Sequence, residues 1–293
     1  MNDLLITVFT PTYNRSKTLI RLWNSLKKQT YCNFEWIIIN DGSTDNTDEI
    51  VNHILNSEMD FNVVYKKVKN GGKHRAINSG IKLAKGELFF IVDSDDWLPE
   101  NSLETIVKFY NQIRFDKKYA GVAGCKYDSM SNLSGTTFSG EYVDATSLER
   151  KKYNIKGEKA EVFRTEIIKK YPFPEYQGET FISEAIVWDK IAFDGYLLRW
   201  FNENVYIFEY QKDGITNNLR ENYAKNPKGY LDYIYNEMVY QNIYGVKKYI
   251  WCGRCINTVK NVLEKQEIAK RLRINNKTFW ISKLVYSLYA LFR

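Results

Sequence analysis

Three carboxylates stand within four residues at the end of an apolar run: Asp93, Asp95 and Asp96 in "FIVDSDDWLPE" (90–100). Like charges repel, and carboxylates at the edge of an apolar core are costly to desolvate, so such a cluster calls for a cation. Asp93 and Asp95, separated only by Ser94, suit a divalent ion shared with a ligand's phosphates. Mg²⁺ and Mn²⁺ prefer oxygen donors, and Mg²⁺ commonly takes one or two carboxylates plus phosphate oxygens. The alternative is a solvated turn in which Asp95 or Asp96 caps the N–H groups of the next helix.

The elements that must position these acids alternate between strand and helix over residues 1–127. "LLITVFT" (4–10) reads as a buried strand, followed by a helix capped by Ser16 with Leu19, Ile20, Trp23 and Leu26 on one face. "FEWIIIN" (34–40), "FNVVYKKV" (61–68) and "ELFFIVD" (87–93) are further strands, and the helix from Lys73 to Lys85 is expected to stop at Gly86. Alternation of this kind predicts an α/β fold with a mostly parallel sheet between helices. In such sheets ligands bind beyond the carboxyl ends of the strands. Asp41 follows the second strand and Asp93 and Asp95 the fourth, so all three are expected on one rim.

Beyond residue 128 the pattern loosens: a polar excursion, then "YLLRWFNENVYIFEY" (196–210), which reads as two short strands around a turn, and helices from Pro227 onward. Competing phosphate-binding devices are missing. "TPTYNRSKT" after the first strand has no glycine, which argues against a dinucleotide-binding site, and "NGGKHRAIN" lacks the Ser or Thr and the glycine spacing of a P-loop. The net charge of +7 suits phosphates, nucleotides or lipid headgroups, and no nucleic-acid partner is expected. Cys252 and Cys255 lack a second ligand pair for zinc and read as two small buried side chains.

Four segments in this order, "VFTPTYNR", "IIINDGSTDNT", "NGGKHRAINSGIKLAKGELFFIVDSDDWL" and "EYQKDGIT", resemble family 2 glycosyltransferases of the GT-A fold. The likeness covers residues 4 to about 217 and stops there. It implies an inverting enzyme that moves a sugar from a UDP-sugar to a glycan or polyprenyl-diphosphate-linked sugar acceptor, with Mn²⁺ or Mg²⁺ as cofactor. By the same resemblance Thr10, Pro11, Tyr13 and Arg15 border the uracil and ribose, Asp41 reads the uracil and Lys73 lines the nucleotide pocket. Asp93 and Ser94 lie by the ribose and metal, and Asp95 is the direct metal ligand. Each has a plainer reading as well, as turn residue, helix cap or solvated charge. The attacking hydroxyl needs a base, since its own pKa is high. The family's Glu-Asp pair before an apolar helix corresponds here to Glu184 followed by Ala185, and Glu179 is the fallback. Relatives often complete the metal shell with a late histidine, but none follows His74. Arg220 and Lys225 are candidates to cover the diphosphate. A nucleotidyltransferase on a similar sheet, or a sugar- or nucleotide-binding module without catalysis, are the rival readings.

The expected organisation is a catalytic domain over 1–217, with a nucleotide-sugar half (1–127) and an acceptor half (128–217), and a helical region over 218–293. From Ile268 to Arg293 there are six basic residues and no acid, among Phe279, Trp280, Leu284, Leu288 and Leu291. That mixture suits a helix lying in a membrane interface, with subunit packing as its rival. No apolar run approaches the roughly 20 residues that cross a bilayer, and no signal peptide is apparent. The expected place is cytoplasmic, peripheral on the inner face of the plasma membrane.

Overall fold

A computed structural model describes residues 4–209 and 219–292. Its strands are β1 (Ile6–Thr12), β2 (Phe34–Asn40), β3 (Asn62–Lys67), β4 (Leu88–Ile91), β5 (Tyr119–Asp128), β6 (Tyr142–Ala145), β7 (Lys159–Arg164) and β8 (Leu197–Phe208). They form one mixed sheet in the order β3-β2-β1-β4-β7-β5-β8-β6. The first four pair in parallel, while β7 runs antiparallel to both β4 and β5, and β6 antiparallel to β8. Helices α1 (Ser16–Leu26), α2 (Thr47–Leu55), α3 (Lys73–Leu83) and α4 (Ser102–Asn111) connect and flank the strands, and a single turn, α5 (Thr165–Ile168), follows β7. The fold is therefore the α/β, GT-A-like architecture that the alternation and the resemblance predict.

Every residue of β1 and β2 is buried, as expected for parallel strands covered on both faces. α1 presses Leu19, Leu22, Trp23 and Leu26 into the same core as Val8, Trp36, Phe90 and Tyr110. On the other side of β1, α3 crosses at unusually short range. A Cβ at Gly80 would lie 2.2 Å from the ring of Phe9, so only glycine lets helix and strand approach this closely.

Pro11 sits inside β1, opposite Ile39 of β2, although proline removes a ladder donor. The alternation of the strand resolves this. The Phe9 carbonyl faces β4 and accepts from Val92, whereas the Thr12 carbonyl faces β2 and accepts from Asp41. Pro11 shares the Phe9 side, beyond the last β1–β4 pair at Ile91, so no ladder bond is lost.

Three local expectations change. Arg15, not Ser16, is the N-cap of α1, and the helix start is tied from outside: Ser16 N–H donates to Asp45 Oδ2 (3.1 Å) and Arg15 N–H to Thr47 Oγ1 (3.3 Å). Gly86 is not a left-handed stop for α3. A side chain there would clash with the β1 backbone, 2.4 Å from Thr7 N, so its lack of a Cβ serves close approach. The polar "FNEN" stretch does not turn the chain. β8 is a single strand of 12 residues with register shifts against β5, and irregular pairing absorbs the polar residues.

Contacts divide the chain into two compact units, one holding residues up to 172 with 191–209, the other holding 173–190 with the described residues from 219 on. The second unit contains α7 (Leu219–Lys225), α8 (Pro227–Tyr240), α9 (Gly245–Val259), α10 (Lys265–Arg271) and α11 (Asn276–Leu291). Residues 185–190, the first part of α6 (Ala185–Phe193), also belong to it. Its own core gathers Tyr230, Leu231, Met238, Ile256, Val259, Leu272 and Phe279. Cys252 and Cys255 are buried in that core, near Met238 Sδ (3.7 Å) and Tyr230 Oη (3.6 Å). Burial pushes their thiols up, to about 11 and about 12, so they are packing groups, not reactive thiolates.

Candidate functional site

The parallel order puts the ends of β2, β1 and β4 side by side, so the loops after them share one rim. Asp41 follows β2. Its Oδ1 accepts from Gly71 N–H (2.8 Å) and its Oδ2 from Gly72 N–H (2.7 Å), and the Asn70 side chain donates to its carbonyl (2.9 Å). Burial pushes this carboxyl up, while the two N–H groups and Arg75 pull the other way. Each carboxylate oxygen can accept twice, so this clamp leaves Asp41 capacity for a ligand N–H.

The clamp has a consequence one residue later. Gly72 is the N-cap of α3, with φ of 95°, and Lys73 opens the helix with its Nζ 2.6 Å from Asp93 Oδ1. Asp41 thereby fixes the loop that delivers a cation to the acid cluster. A second cation arrives from the β1–α1 turn: Arg15 Nε donates to Asp95 Oδ2 (3.1 Å). The cluster is thus partly neutralised by the protein itself. Burial would raise Asp93, but Lys73, Lys126 and Arg15 hold its carboxyl below the usual range. Asp95 is raised, first by burial and then by the charge of Asp93.

The third acid is an anchor. Asp96 Oδ2 accepts from the Tyr206 hydroxyl (2.7 Å) and Oδ1 from Glu209 N–H (3.1 Å). The same Tyr206 oxygen accepts from Asp93 N–H (3.0 Å). Burial, then Asp93, push Asp96 up to about 7. Trp97 exchanges two backbone hydrogen bonds with Ile207, which fastens the acidic loop to β8. Lys126 of β5 lies 4.1 Å over the Tyr206 ring, and Arg21 of α1 stacks on Trp97 (4.0 Å) while donating to the Asp95 carbonyl (2.6 Å).

The structure therefore brings Asp41, Lys73, Asp93, Asp95 and Arg15 into one linked set. Ser94 is buried between the two acids, and Tyr13 is exposed on the rim. Thr10 is fully buried, its hydroxyl accepting from Trp36 Nε1 (2.9 Å), and Pro11 is buried in the strand. Sequence reasoning missed Asp96 as an anchor, along with Tyr206, Lys126 and Arg21. The only available signal was the acid cluster's demand for nearby donors.

The expected base lies in the other unit. Glu184 immediately precedes α6, and its carbonyl accepts from Val187 N–H (3.0 Å) and Trp188 N–H (3.2 Å). The fallback Glu179 is buried and caps α8, with Oε1 on Lys228 N–H (2.7 Å) and Oε2 on Gly229 N–H (2.9 Å). That employment makes it a structural cap. Lys225 pairs with Glu221 one turn away in α7, and Arg220 is exposed. The "EYQKDGIT" segment lies outside the described residues apart from Glu209, its first. Among the described residues no three His, Cys, Asp or Glu side chains form a group able to hold a metal ion. The oxygen donors of Asp93 and Asp95 nonetheless suit Mg²⁺ or Mn²⁺, because each ion pair above uses one oxygen of a two-oxygen group.

Residues 7–171, more than half of the chain, match the family described as "Glycosyl transferase family 2". The chain belongs to that family. It is 43% identical over 110 residues to glycosyltransferase GlyG of Streptococcus pneumoniae, which is 38% of this chain and 35% of GlyG. It is also 30% identical over 210 residues to glycosyltransferase GlyA of the same organism, 70% of this chain and 28% of GlyA. The chain thus spans about a third or less of the length of these two relatives. Among solved structures, S. aureus TarS 1–349 in complex with UDP-GlcNAc superposes with a TM-score of 0.64 at 18% identity, covering 99% of this chain and 93% of that one. The Pyrobaculum calidifontis mannosyltransferase PcManGT, in complex with GDP-Man and Mn²⁺, gives 0.51 at 18% identity, over 98% and 75%. These likenesses show the shared fold.

Proposed function

We propose that the chain is an inverting glycosyltransferase that moves a hexosyl or N-acetylhexosaminyl group from a UDP-sugar to a hydroxyl of a glycan or polyprenyl-diphosphate-linked acceptor. One observation carries this reading: in a family 2 chain, Asp41, Asp93 and Asp95 come from two strands to one rim and are joined there through Lys73 and Arg15. The UDP-GlcNAc complex of TarS, a structure of the same fold, supports the choice of donor.

Asp41 is held with spare acceptor capacity, which suits the N3–H of a uracil and rejects cytosine, whose edge offers no donor there. Asp95, with Asp93 beside it, would hold Mn²⁺ or Mg²⁺. That ion would supply positive charge for the diphosphate as it leaves. Lys73 and Arg15 neutralise the acids in the structure described above, and their charge suits a diphosphate drawn to the same place. Glu184 is the base in this reading: it takes the proton of the attacking hydroxyl as the hydroxyl oxygen bonds to C1 and UDP departs, and the anomeric configuration inverts. Residues 128–217 form the acceptor half in this reading. The protein works at the cytoplasmic side, peripheral on the inner membrane surface.

Thermal shift with UDP-, GDP- and dTDP-sugars, each with and without Mn²⁺, tests the donor. A Mn²⁺-dependent rise in Tm with UDP-sugars alone is expected, lost in Asp95→Asn. No response to any nucleotide would overturn the site. Glu184→Gln should keep UDP binding and lose about 10²–10⁴-fold in turnover. Retained turnover would remove Glu184 as base, and a wild-type chain that binds UDP but never turns over would be a binding module.

A further inference from the structure

Helix α11 carries two apolar faces, and the structure shows what covers only one of them. Its inner face holds Phe279, Ser282 and Tyr286 against α9. There a Cβ at Gly253 would lie 2.3 Å from the Ser282 carbonyl oxygen and from Tyr286 Cβ, so the helices touch backbone to backbone. The outer face presents Trp280 (55% exposed), Leu284 (62%), Leu288 (50%) and Leu291 (78%), and Phe292 follows at 88%. Spacings of four, four and three residues keep this stripe on one side of the helix. Solvent-facing aromatic and leucine side chains in a row are unusual for a helix whose opposite face is already packed.

Basic side chains frame the stripe. Lys265 and Lys283 reach the Trp280 ring, at 5.1 and 4.7 Å from its centroid, and Lys277 is exposed one turn before it. Lys270 and Arg273 are exposed nearby in sequence. No acid occurs from Ile268 to the last residue, and the nearer acid Glu267 is engaged by Arg271 (2.7 Å). The helix has 16 residues, and none among the described residues is long and apolar enough to cross a membrane.

We infer that the outer face of α11 docks in the plane of a bilayer bearing anionic lipids, with Trp280, Leu284, Leu288 and Leu291 entering the acyl boundary and Lys265, Lys277 and Lys283 meeting the headgroups. Charge chooses this partner over a second protein. A protein surface able to match a leucine stripe flanked by cations would have to carry its own acids, whereas an anionic leaflet offers both components everywhere. The inference rests on the peripheral placement proposed above and gives it a face and a lipid chemistry. The observations behind it lie in the helical unit, so vesicle binding can be judged whether or not the chain transfers sugar.

Flotation of the full chain with vesicles tests it, using phosphatidylcholine alone and phosphatidylcholine mixed with phosphatidylglycerol. Binding is expected to the mixed vesicles only and should weaken with added salt. Lys277→Glu and Lys283→Glu should each lower the partition coefficient by at least about fivefold. Trp280→Ser with Leu284→Ser should abolish flotation while helix content and Tm stay as in the wild type. Absence of flotation with either vesicle would overturn the proposal, and so would undiminished flotation of the double variant. A double variant that converts an oligomer to a monomer, without any vesicle binding by the wild type, would assign the stripe to a protein interface instead.

Discussion

Tyr206 joins two of the three acids through one oxygen, accepting from the Asp93 N–H and donating to Asp96. Tyr206→Phe leaves both buried groups without that partner, and each such loss costs roughly 1–3 kcal/mol. The variant should lose about 3 kcal/mol of unfolding free energy in urea titrations and, under the proposed function, show a smaller thermal shift with a UDP-sugar and Mn²⁺. A stability within error of the wild type would mean the acidic loop is held by other contacts. This tyrosine also marks the limit of sequence reading at this scale. Asp41, Asp93 and Asp95 were legible because the acids follow apolar runs that predict strand ends. Tyr206 and Lys126 were not, because β8 and β5 approach the cluster only after folding, and no local pattern announces it. The cluster did announce a need for positive charge. Two of its cations are Lys73 and Arg15, which the resemblance had assigned to the nucleotide.

Among the elements, Asp45 acts as a rivet between two helix starts. Its Oδ2 accepts from Ser16 N–H of α1, and its Oδ1 accepts from the N–H and hydroxyl of Thr47 in α2. Burial would raise this carboxyl, but those hydrogen bonds outweigh it and hold the group down to about 2. A depressed carboxylate adds stability above its unfolded value near 4, and that stability is lost as pH falls through 2. Asp45→Ala should therefore cost about 1 kcal/mol at neutral pH, a cap-sized effect for a mostly hydrated group. The gap between wild type and variant should close between pH 4 and 2 in parallel urea titrations. A gap independent of pH would show that shape, not charge, holds the joint. Strand–helix alternation in the first 127 residues was readable because each element is short, apolar on the right period and bounded by polar turns. β8 was misread at its polar middle: irregular pairing can hide "FNEN" inside a strand, and periodicity cannot tell that from a turn.

For the whole molecule, the two compact units have different kinds of core: a sheet with flanking helices in one, helices alone in the other. The helical unit depends on close approach at Gly253. Gly253→Ala should force α9 and α11 apart and destabilise the unit by about 1–3 kcal/mol. The expected signature is faster amide exchange in α9 and α11, with α1 and α3 unchanged. Uniform protection across all four helices would show that the contact has slack. At the opposite end of the sequence, Gly80 is a depth stop. It lets α3 settle onto the Phe9 ring, and Lys73 stands about 10 Å up the same helix. A single added methyl at Gly80 would tilt or lift this lever and draw the ammonium away from Asp93. In a screen for lost function, damage beneath the sheet would thus be indistinguishable from a lesion among the acids themselves.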